Sequence, residues 1–186
     1  MKTRPIFTFK YNFRSPGIQI EGPIEYAFGR TARDMVLVGK SRHGICAIFL
    51  GENERALVDQ LEAAFPKIEL RSCQQKLLQE LRHVTAFIEN EGADGIVPLD
   101  IGGTSFQQRV WQTLCEIPAG ETRSYGDVAK NLGVPDAVRA VAGACAANVL
   151  AVAIPCHRVV RQDGSISGYR WGVERKRELL AEECAR

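Results

Sequence analysis

Long apolar runs are missing from this sequence, so no stretch of the roughly 20 apolar residues that a membrane-spanning helix needs is present. Near the N-terminus, Lys10 and Arg14 interrupt the segment that follows Lys2 and Arg4, which leaves no continuous apolar core for a signal peptide. Low-complexity tracts are absent, and the hydrophobic share of 45% is that of an ordinary globular protein. The sequence therefore predicts a soluble, cytoplasmic protein without a membrane partner.

Paired cysteine spacings are also lacking. The six cysteines are scattered, and no CxxC lies near a histidine. This pattern does not match the common zinc-ligand spacings or the disulfide framework of a small secreted domain. We expect reduced thiols, no bound metal and no cofactor. The cysteines are Cys46, Cys73, Cys115, Cys145, Cys156 and Cys184.

A strong excess of charge of either sign is absent, because the formal net charge is only +2. Its distribution is nevertheless uneven. Residues 1–100 hold thirteen basic and thirteen acidic side chains, whereas residues 123–177 hold nine basic and four acidic ones, a net of +5. This concentration predicts a modest polyanion-binding surface, although any one of these charges taken alone is typical of a solvated surface.

Residues 1–95 have the pattern of a small α/β lobe with an antiparallel sheet. The predicted elements are strands over 24–30, 35–40 and 44–50, a further strand marked by Phe7, Phe9, Tyr11 and Phe13, a helix ended by Pro66, and a second helix over about 72–90. Two glycines and two acidic residues over 91–95 then predict the boundary between two lobes.

Residues 96–186 predict a mostly helical second lobe. Thr104 with Gln107, and Ser124 with Asp127, each have the spacing of a capping box ahead of an apolar run. Both pairs therefore mark the start of a helix.

The second of these helices is expected to form one half of a helix-turn-helix. It runs over about 124–132, Gly133 supplies its C-cap, and Pro135 lies at the first turn of the next helix. Such a pair is also found in many helical proteins that do not bind DNA. The residues of the following helix are therefore needed to decide between the two interpretations.

That helix presents an arginine among very small residues. At 3.6 residues per turn, Arg139, Ala142, Gly143 and Ala146 fall near one stripe. A helix that reads the major groove usually carries long polar side chains, so this smooth stripe instead suits close approach to the minor groove. Tight packing of the small residues against a neighbouring helix is the alternative.

The segment 154–159, Ile-Pro-Cys-His-Arg-Val, carries a thiol beside an imidazole on a proline-held turn. A thiolate is a soft nucleophile suited to attack at a saturated carbon, and its reactivity depends on what lowers its pKa. We expect His157 and Arg158 to lower it. Taken alone, Cys156 has a second interpretation, because most intracellular cysteines are small buried hydrophobic residues. Its neighbours favour the nucleophile.

Five blocks of the sequence together resemble a known family. In this combination the chain resembles the O6-alkylguanine-DNA alkyltransferases, with the greatest likeness to the C-terminal part of bacterial Ada-type proteins. The likeness covers about residues 24–186 and is densest over 104–186. The blocks are Ser124-Tyr125, Val138-Arg139-Ala140-Val141, Asn148, Pro155-Cys156-His157-Arg158-Val159 and Ser167-Gly168-Tyr169-Arg170.

The resemblance implies a partner, namely double-stranded DNA that carries O6-alkylguanine. The protein would bind the minor groove and flip the damaged base out of the duplex. Arg139 would fill the gap, while Tyr125 would press on the neighbouring phosphate and donate a hydrogen bond to N3 of the flipped guanine. Further DNA contacts would come from Val138, Ala140, Ala142 and Ala146, and the base pocket would contain Val159, Ser167, Gly168, Tyr169 and Arg170.

The resemblance also implies an irreversible transfer of the alkyl group to Cys156. In the family a relay runs from the cysteine through a water to a histidine and on to a glutamate, which correspond here to His157 and Glu183. The neighbouring Glu182 stays open as an alternative. Asn148 would brace the turn that presents the thiol. The product is a stable thioether, so each protein molecule, expected to be a monomer, would act once.

Three other functions stay open. The chain has no counterpart of the zinc-binding N-terminal cysteine cluster of full Ada-type proteins, so no transcription-factor role is inferred. A non-catalytic alkylation-damage binding protein and a helix-turn-helix regulator are the alternatives that keep DNA as the partner. A cysteine hydrolase is the third, although only His43 and His83 are available as a base besides His157.

Overall fold

The structure, a computed structural model, describes residues 7–89, 91 and 95–185. It has the predicted mixed α/β character and divides into two compact units, the first ending at Gly102 and the second beginning at Gly103. The charged N-terminal residues 2 and 4, and residues 92–94 of the expected linker, lie outside the described residues.

Within the described residues, the first unit contains a sheet of six strands and two helices. Its elements are β1 (Phe7–Phe13), β2 (Ile24–Arg30), β3 (Met35–Ser41), β4 (Gly44–Gly51), α1 (Glu54–Ala64), β5 (Leu70–Ser72), α2 (Leu78–Glu89) and β6 (Gly95–Ile101). The strand order is β1-β6-β4-β3-β2-β5. Strands β2, β3 and β4 form the expected antiparallel part. Strand β5 pairs in parallel with β2, and β6 pairs in parallel with both β1 and β4. The sheet is therefore mixed rather than antiparallel.

Burial explains how the first helix packs on this sheet. Asn53 caps α1 by accepting a hydrogen bond from the amide of Ala56 at 2.9 Å. Leu57 and Leu61, one turn apart, are fully buried. At Gly51 in β4, a Cβ atom would lie 2.9 Å from the Leu57 side chain, so glycine permits the close approach of helix and strand.

Two predictions for this part of the chain need correction. The extended segment 96–100, expected in the second lobe, belongs to β6 and pairs with β1 and β4 in the first unit's sheet. The second helix begins at Leu78 rather than near residue 72, because β5 and a turn in which the Leu77 amide donates to the Cys73 carbonyl come first. Leu78, the first residue of this helix, is 41% exposed.

The second unit is mostly helical. Its elements are α3 (Ser105–Cys115), β7 (Arg123–Ser124), α4 (Tyr125–Asn131), α5 (Val138–Ala146), a single 3-10 turn (Cys156–Arg158), β8 (Val159–Val160) and α6 (Val173–Cys184). Both predicted capping boxes are confirmed, at Thr104 with Gln107 and at Ser124 with Asp127. They fix where α3 and α4 begin.

The turn between α4 and α5 is closed by Gly133. Its φ of +74° lies in the left-handed region, and its amide donates to the Lys130 carbonyl while the Val134 amide donates to Ala129. These two bonds are the Schellman pattern, so the predicted C-cap is confirmed. Pro135 lies in the turn before α5 and not within its first turn, since α5 begins at Val138.

A buried hydrogen bond holds α5 against α3. The indole Nε1 of Trp111 donates to the carbonyl of Ala144 at 2.9 Å. Val141, Ala144 and Cys145 are buried on that side of the helix. The opposite side is consequently left facing outward. None of the helices in the described part of the chain combines the length and apolar character needed to cross a membrane.

Candidate active site

Asn148 organises the loop that carries the predicted nucleophile. Its side chain is fully buried. Oδ1 accepts a hydrogen bond from the Leu150 amide at 2.9 Å, while Nδ2 donates to the Ile154 carbonyl at 2.9 Å and to the Cys156 sulfur at 3.2 Å. One amide side chain thus contacts both ends of the loop and the thiol itself. Its loss would leave the buried Leu150 amide without a partner, while the Ile154 carbonyl would keep the hydrogen bond from the Cys156 amide.

The same loop contains a strained residue. Val152 has a φ of 58°, and it is the only non-glycine residue of the described part of the chain with a positive φ. A β-branched residue in this region costs on the order of 1–3 kcal/mol and persists only where its surroundings enforce it. Asn148 supplies such enforcement, because it bonds to the backbone on both sides of Val152.

The thiol of Cys156 is buried, with 4% of the residue exposed, at the start of the 3-10 turn. Burial raises the pKa of Cys156 to about 11, although the hydrogen bond from Asn148 and the charge of Lys176 act to lower it. The expectation that its neighbours His157 and Arg158 depress this pKa is therefore wrong. Desolvation of the thiolate outweighs the nearby positive charge, so the thiol is protonated at neutral pH.

His157 and Glu183 form a buried pair although they are far apart in the chain. Nε2 of the imidazole lies 2.9 Å from Oε1 of the carboxylate. Because a carboxylate can only accept, Nε2 carries the proton and Nδ1 keeps its lone pair. Nδ1 is buried and has no hydrogen-bond partner among the described residues. Glu183, rather than Glu182, is thus the carboxylate that contacts the imidazole.

Arg158 contacts the carboxylate and not the thiol. Its Nε donates to Glu183 Oε2 at 3.0 Å and its Nη2 to Oε1 at 2.8 Å, which is a two-pronged contact. Nη1 donates to the Ile117 carbonyl at 2.5 Å, just after the end of α3. The guanidinium therefore fixes Glu183 and joins the 3-10 turn to the preceding helix.

These contacts set the protonation of the pair. Burial raises the pKa of Glu183, but hydrogen bonds from His157 and Arg158 lower it more, to about 2. For His157, burial lowers the pKa, and the Glu183 contact only partly opposes that effect. At neutral pH the site therefore holds a carboxylate and a neutral imidazole, and a neutral imidazole is able to accept a proton.

A two-stranded parallel sheet brings Tyr125 to the same region. Arg123 and Ser124 of β7 pair with Val159 and Val160 of β8, which directly follows the 3-10 turn. The phenol oxygen of Tyr125 lies 2.6 Å from Oγ of Ser167. Neither two-residue strand was predicted, and together they place the start of α4 beside the segment that carries the thiol.

Lys176 is a site residue that sequence reasoning missed. It is fully buried in α6, and its Nζ donates to the Val159 carbonyl at 2.5 Å and to Ser167 Oγ at 3.3 Å. Leu179 and Leu180 of the same helix are only partly buried. Lys176 lies three and four residues before them, on the same helix face, and that periodicity was the available signal.

The remaining pocket candidates lie near these groups with different exposure. Val159 is buried, and Tyr169 is partly buried with its ring edge-on to His157 at a centroid distance of 6.5 Å. Gly168 and Arg170 are exposed. Nη1 of Arg170 donates to the Ala146 carbonyl at 3.3 Å, so the loop before α6 contacts the end of α5.

The candidate DNA-binding residues share the outward side of α5. Val138, Arg139, Ala140 and Ala146 are exposed and Ala142 is partly buried. A Cβ atom added at Gly143 would meet no atom within 4 Å. Internal packing therefore does not explain why this residue is a glycine, and the packing alternative fails at this position.

Among the residues that the structure describes, no three His, Cys, Asp or Glu side chains form a group that could hold a metal ion. The absence of a metal and a cofactor stays a prediction for the protein.

Comparison with known proteins relates this site to a family. The model of the 6-O-methylguanine DNA methyltransferase DNA-binding domain matches residues 105–185. An inducible methylated-DNA–protein-cysteine methyltransferase of Bacillus subtilis is 40% identical over 136 residues, which is 72% of this chain and 76% of that protein. The chain belongs to the 6-O-methylguanine DNA methyltransferase family.

Two further members extend the comparison. Regulatory protein Ada of Salmonella typhimurium is 48% identical over 172 residues, which is 92% of this chain and 48% of that protein, so the chain spans about half of its length. A crystal structure of Mycobacterium tuberculosis OGT in complex with DNA has a TM-score of 0.71 and 31% identity, and covers 87% of this chain and 93% of its own. All of the site residues from Tyr125 to Glu183 lie within the matched methyltransferase domain.

Proposed function

We propose that this protein repairs alkylated DNA directly, by moving an alkyl group from O6 of guanine to the sulfur of Cys156. A sulfur–carbon bond forms while the carbon–O6 bond breaks, and the electron pair of the broken bond stays with guanine. The thiol loses its proton and the guanine gains one, so atoms and charge balance. Family membership supports this reaction, and so does the arrangement of groups around the thiol.

The thiol needs a base at the moment of transfer, because burial raises its pKa to about 11. His157 is suited to this role, since Nδ1 has a free lone pair and Glu183 fixes the tautomer. The family's relay through a water fits this geometry, as adjacent side chains rarely point at the same atom. Glu183 then faces an imidazolium and stabilises its charge.

The departing guanine needs hydrogen-bond donors for its developing negative charge. Tyr125 is the side chain proposed for this task, with its phenol donating to N3 of the flipped base. Burial raises the pKa of Tyr125, so the phenol keeps its proton at neutral pH and acts as a donor. The segment around Val159 supplies further backbone groups next to the thiol.

The outward side of α5 is the proposed DNA contact. Its small side chains allow close approach to the sugar–phosphate backbone in the minor groove, and Arg139 is the long side chain placed to fill the gap left by the flipped base. In this proposal α4 and α5 act as the two helices of a helix-turn-helix. The binding is governed by shape and charge, so little sequence preference is expected.

Each molecule is proposed to act once. The product is a thioether, which has no activated carbonyl for water to attack. After His157 has accepted the thiol proton, there is therefore no hydrolysis step in which it could assist a leaving group. The protein is then consumed as a reagent. Cytoplasmic location and action as a monomer stay predictions.

One observation carries the proposal: the Cys156 sulfur accepts a hydrogen bond from the Asn148 side-chain amide, and the next residue is a histidine whose imidazole is oriented by Glu183. These residues lie within the domain that the family shares. The test is transfer of a labelled methyl group from an O6-methylguanine duplex to Cys156→Ala and to Cys184→Ala, whose thiol is exposed. Cys156→Ala should bind DNA but accept no label, whereas Cys184→Ala should behave as the natural protein.

The same experiment separates the other functions. Full DNA binding without label in any variant would favour a damage-binding protein. A strong preference for one undamaged DNA sequence would favour a helix-turn-helix regulator. Repeated turnover of an acyl ester would favour a cysteine hydrolase, because its acyl-enzyme is hydrolysed and the thioether is not.

A further inference from the structure

Lys176 is the one lysine or arginine among the described residues that is fully buried. Removing an ammonium group from water is costly unless its donors are satisfied, so such residues rarely occur without a reason. Burial lowers the pKa of Lys176, which agrees with that cost. Its exposure of 0% means that it cannot contact DNA directly.

The contacts of Lys176 join two parts of the proposed acceptor site. Nζ donates to the Val159 carbonyl, three residues after Cys156, at 2.5 Å. It also donates to Oγ of Ser167 at 3.3 Å, and that oxygen lies 2.6 Å from the phenol of Tyr125. A continuous chain of polar groups thus runs from Lys176 through Ser167 to Tyr125.

The charge of the lysine determines which group donates in each of these hydrogen bonds. An ammonium group has donors and no acceptor, so Ser167 Oγ must accept from it. Accepting from a cation polarises the serine hydroxyl and makes it a better donor to Tyr125. If Ser167 donates to the phenol oxygen, the phenol hydrogen is left to point elsewhere, which is what a donor to the flipped base requires.

We propose that Lys176 is a positioning residue, which orients the hydroxyl of Ser167 toward Tyr125 so that the phenol hydrogen is presented to the departing guanine. This inference rests on the proposed function. It assigns Lys176 and Ser167 as the groups that orient Tyr125, the proposed donor to the departing guanine. Lys176 touches neither the base nor the DNA and acts through Ser167. Its contact with the Val159 carbonyl ties the backbone beside the thiol to the same series of hydrogen bonds.

The test is single-turnover methyl transfer from an O6-methylguanine duplex, measured for the natural protein and for Lys176→Met, Tyr125→Phe and the double variant. Methionine is unbranched like lysine, is only one atom shorter, and carries no charge. We expect each single variant to lower the maximal rate by about tenfold or more, as loss of one transition-state donor commonly does. Affinity for the duplex should be unchanged in Lys176→Met, because the side chain is buried.

Coupling distinguishes positioning from a general structural role. If Lys176 acts through Tyr125, the double variant should transfer at least threefold faster than the product of the two single losses predicts. A double variant within threefold of that product would overturn the inference. Arg177→Met is the matched control, because it removes a positive charge from the exposed side of the same helix and should leave the rate within about twofold.

Ser167→Ala provides a second route if Lys176→Met does not fold. It interrupts the chain at a partly buried position, and it should reproduce the loss of rate caused by Tyr125→Phe. A rate equal to that of the natural protein would overturn the inference. If the natural protein itself transfers no methyl group, the proposed function fails first, and this outcome is distinct from the two above.

Discussion

The side-chain amide of Asn148 lies 3.2 Å from the sulfur of Cys156 and also bonds the backbone at both ends of the intervening loop. The residue that shapes the loop is therefore the residue that contacts the proposed acceptor atom. Stability of the loop and reactivity of the thiol are coupled through one buried side chain.

The first prediction concerns this residue. Asn148→Ala should lower the free energy of unfolding by about 3 kcal/mol, because the buried amide of Leu150 and the carbonyl of Ile154 lose their side-chain partner. Urea denaturation measures the loss. Asn148→Asp keeps an acceptor for Leu150 but buries an unpaired carboxylate against the Ile154 carbonyl and the thiol, so it should be at least as destabilising and also slow in methyl transfer. Equal stability of Asn148→Ala and the natural protein would contradict the bracing role.

The second prediction concerns the strained backbone at Val152, with its φ of 58°. Glycine tolerates this region and alanine does not, so Val152→Gly should be more stable than Val152→Ala by about 1 kcal/mol. The control is the reverse order at Ala140, an exposed residue of α5, where glycine should be less stable than alanine by about 1 kcal/mol. Thermal unfolding of both pairs checks the prediction, and the same order at the two positions would contradict it.

The third prediction concerns the pH dependence of transfer. Burial lowers the pKa of His157, with Arg158 and Lys176 acting in the same direction and Glu183 opposing them. The imidazole is thus neutral at neutral pH, and the rate should fall only below the ordinary histidine pKa of 6.5, as the base becomes protonated. Glu183 has a pKa of about 2 and stays ionised over this range.

Substitution of the carboxylates makes this prediction specific. Glu183→Gln removes the group that raises the pKa of His157, so the acid limb should move to lower pH while the maximal rate falls about tenfold, since the tautomer is no longer fixed. Glu182→Gln should keep the rate within about twofold. A pH–rate profile with an acid limb above pH 6.5, or equal effects of the two variants, would contradict the assignment.

Much of this second unit could be predicted from the sequence, because the signals are local. Capping boxes at Thr104 and Ser124 mark helix starts through residues three apart, and the glycine after α4 marks its end. The outward side of α5 follows from helical periodicity. The motif around Cys156 was enough to predict a nucleophile there, because its residues are adjacent in the sequence.

The features that sequence did not predict depend on burial and on pairing between distant segments. The pKa of Cys156 is raised because the thiol is desolvated. The sequence shows basic residues next to the thiol but does not show its burial. In the sequence Lys176 has the pattern of a solvated surface charge, and only the packing of α6 shows that it is buried. Strand β6 was assigned to the wrong lobe because its partner β1 lies more than eighty residues earlier. Such parallel pairing leaves no local pattern.

The fourth prediction concerns the outward side of α5. Gly143→Ala should stabilise the fold by up to about 1 kcal/mol, because the added methyl group meets nothing and alanine is the better helix former. Gly143→Leu should fold as well but weaken binding to duplex DNA about tenfold, because the longer side chain blocks approach to the minor groove. Fluorescence anisotropy with a labelled duplex measures the affinity. Unchanged affinity of Gly143→Leu would show that this side does not contact DNA.

The most direct test of the central claim is a titration of the protein with excess O6-methylguanine duplex, followed by intact-mass measurement and peptide mapping. We expect uptake to stop at one methyl group per chain, and the group to be found on the peptide that contains Cys156. Repeated turnover, a methyl group on another residue, or complete repair with an unmodified Cys156 would contradict it.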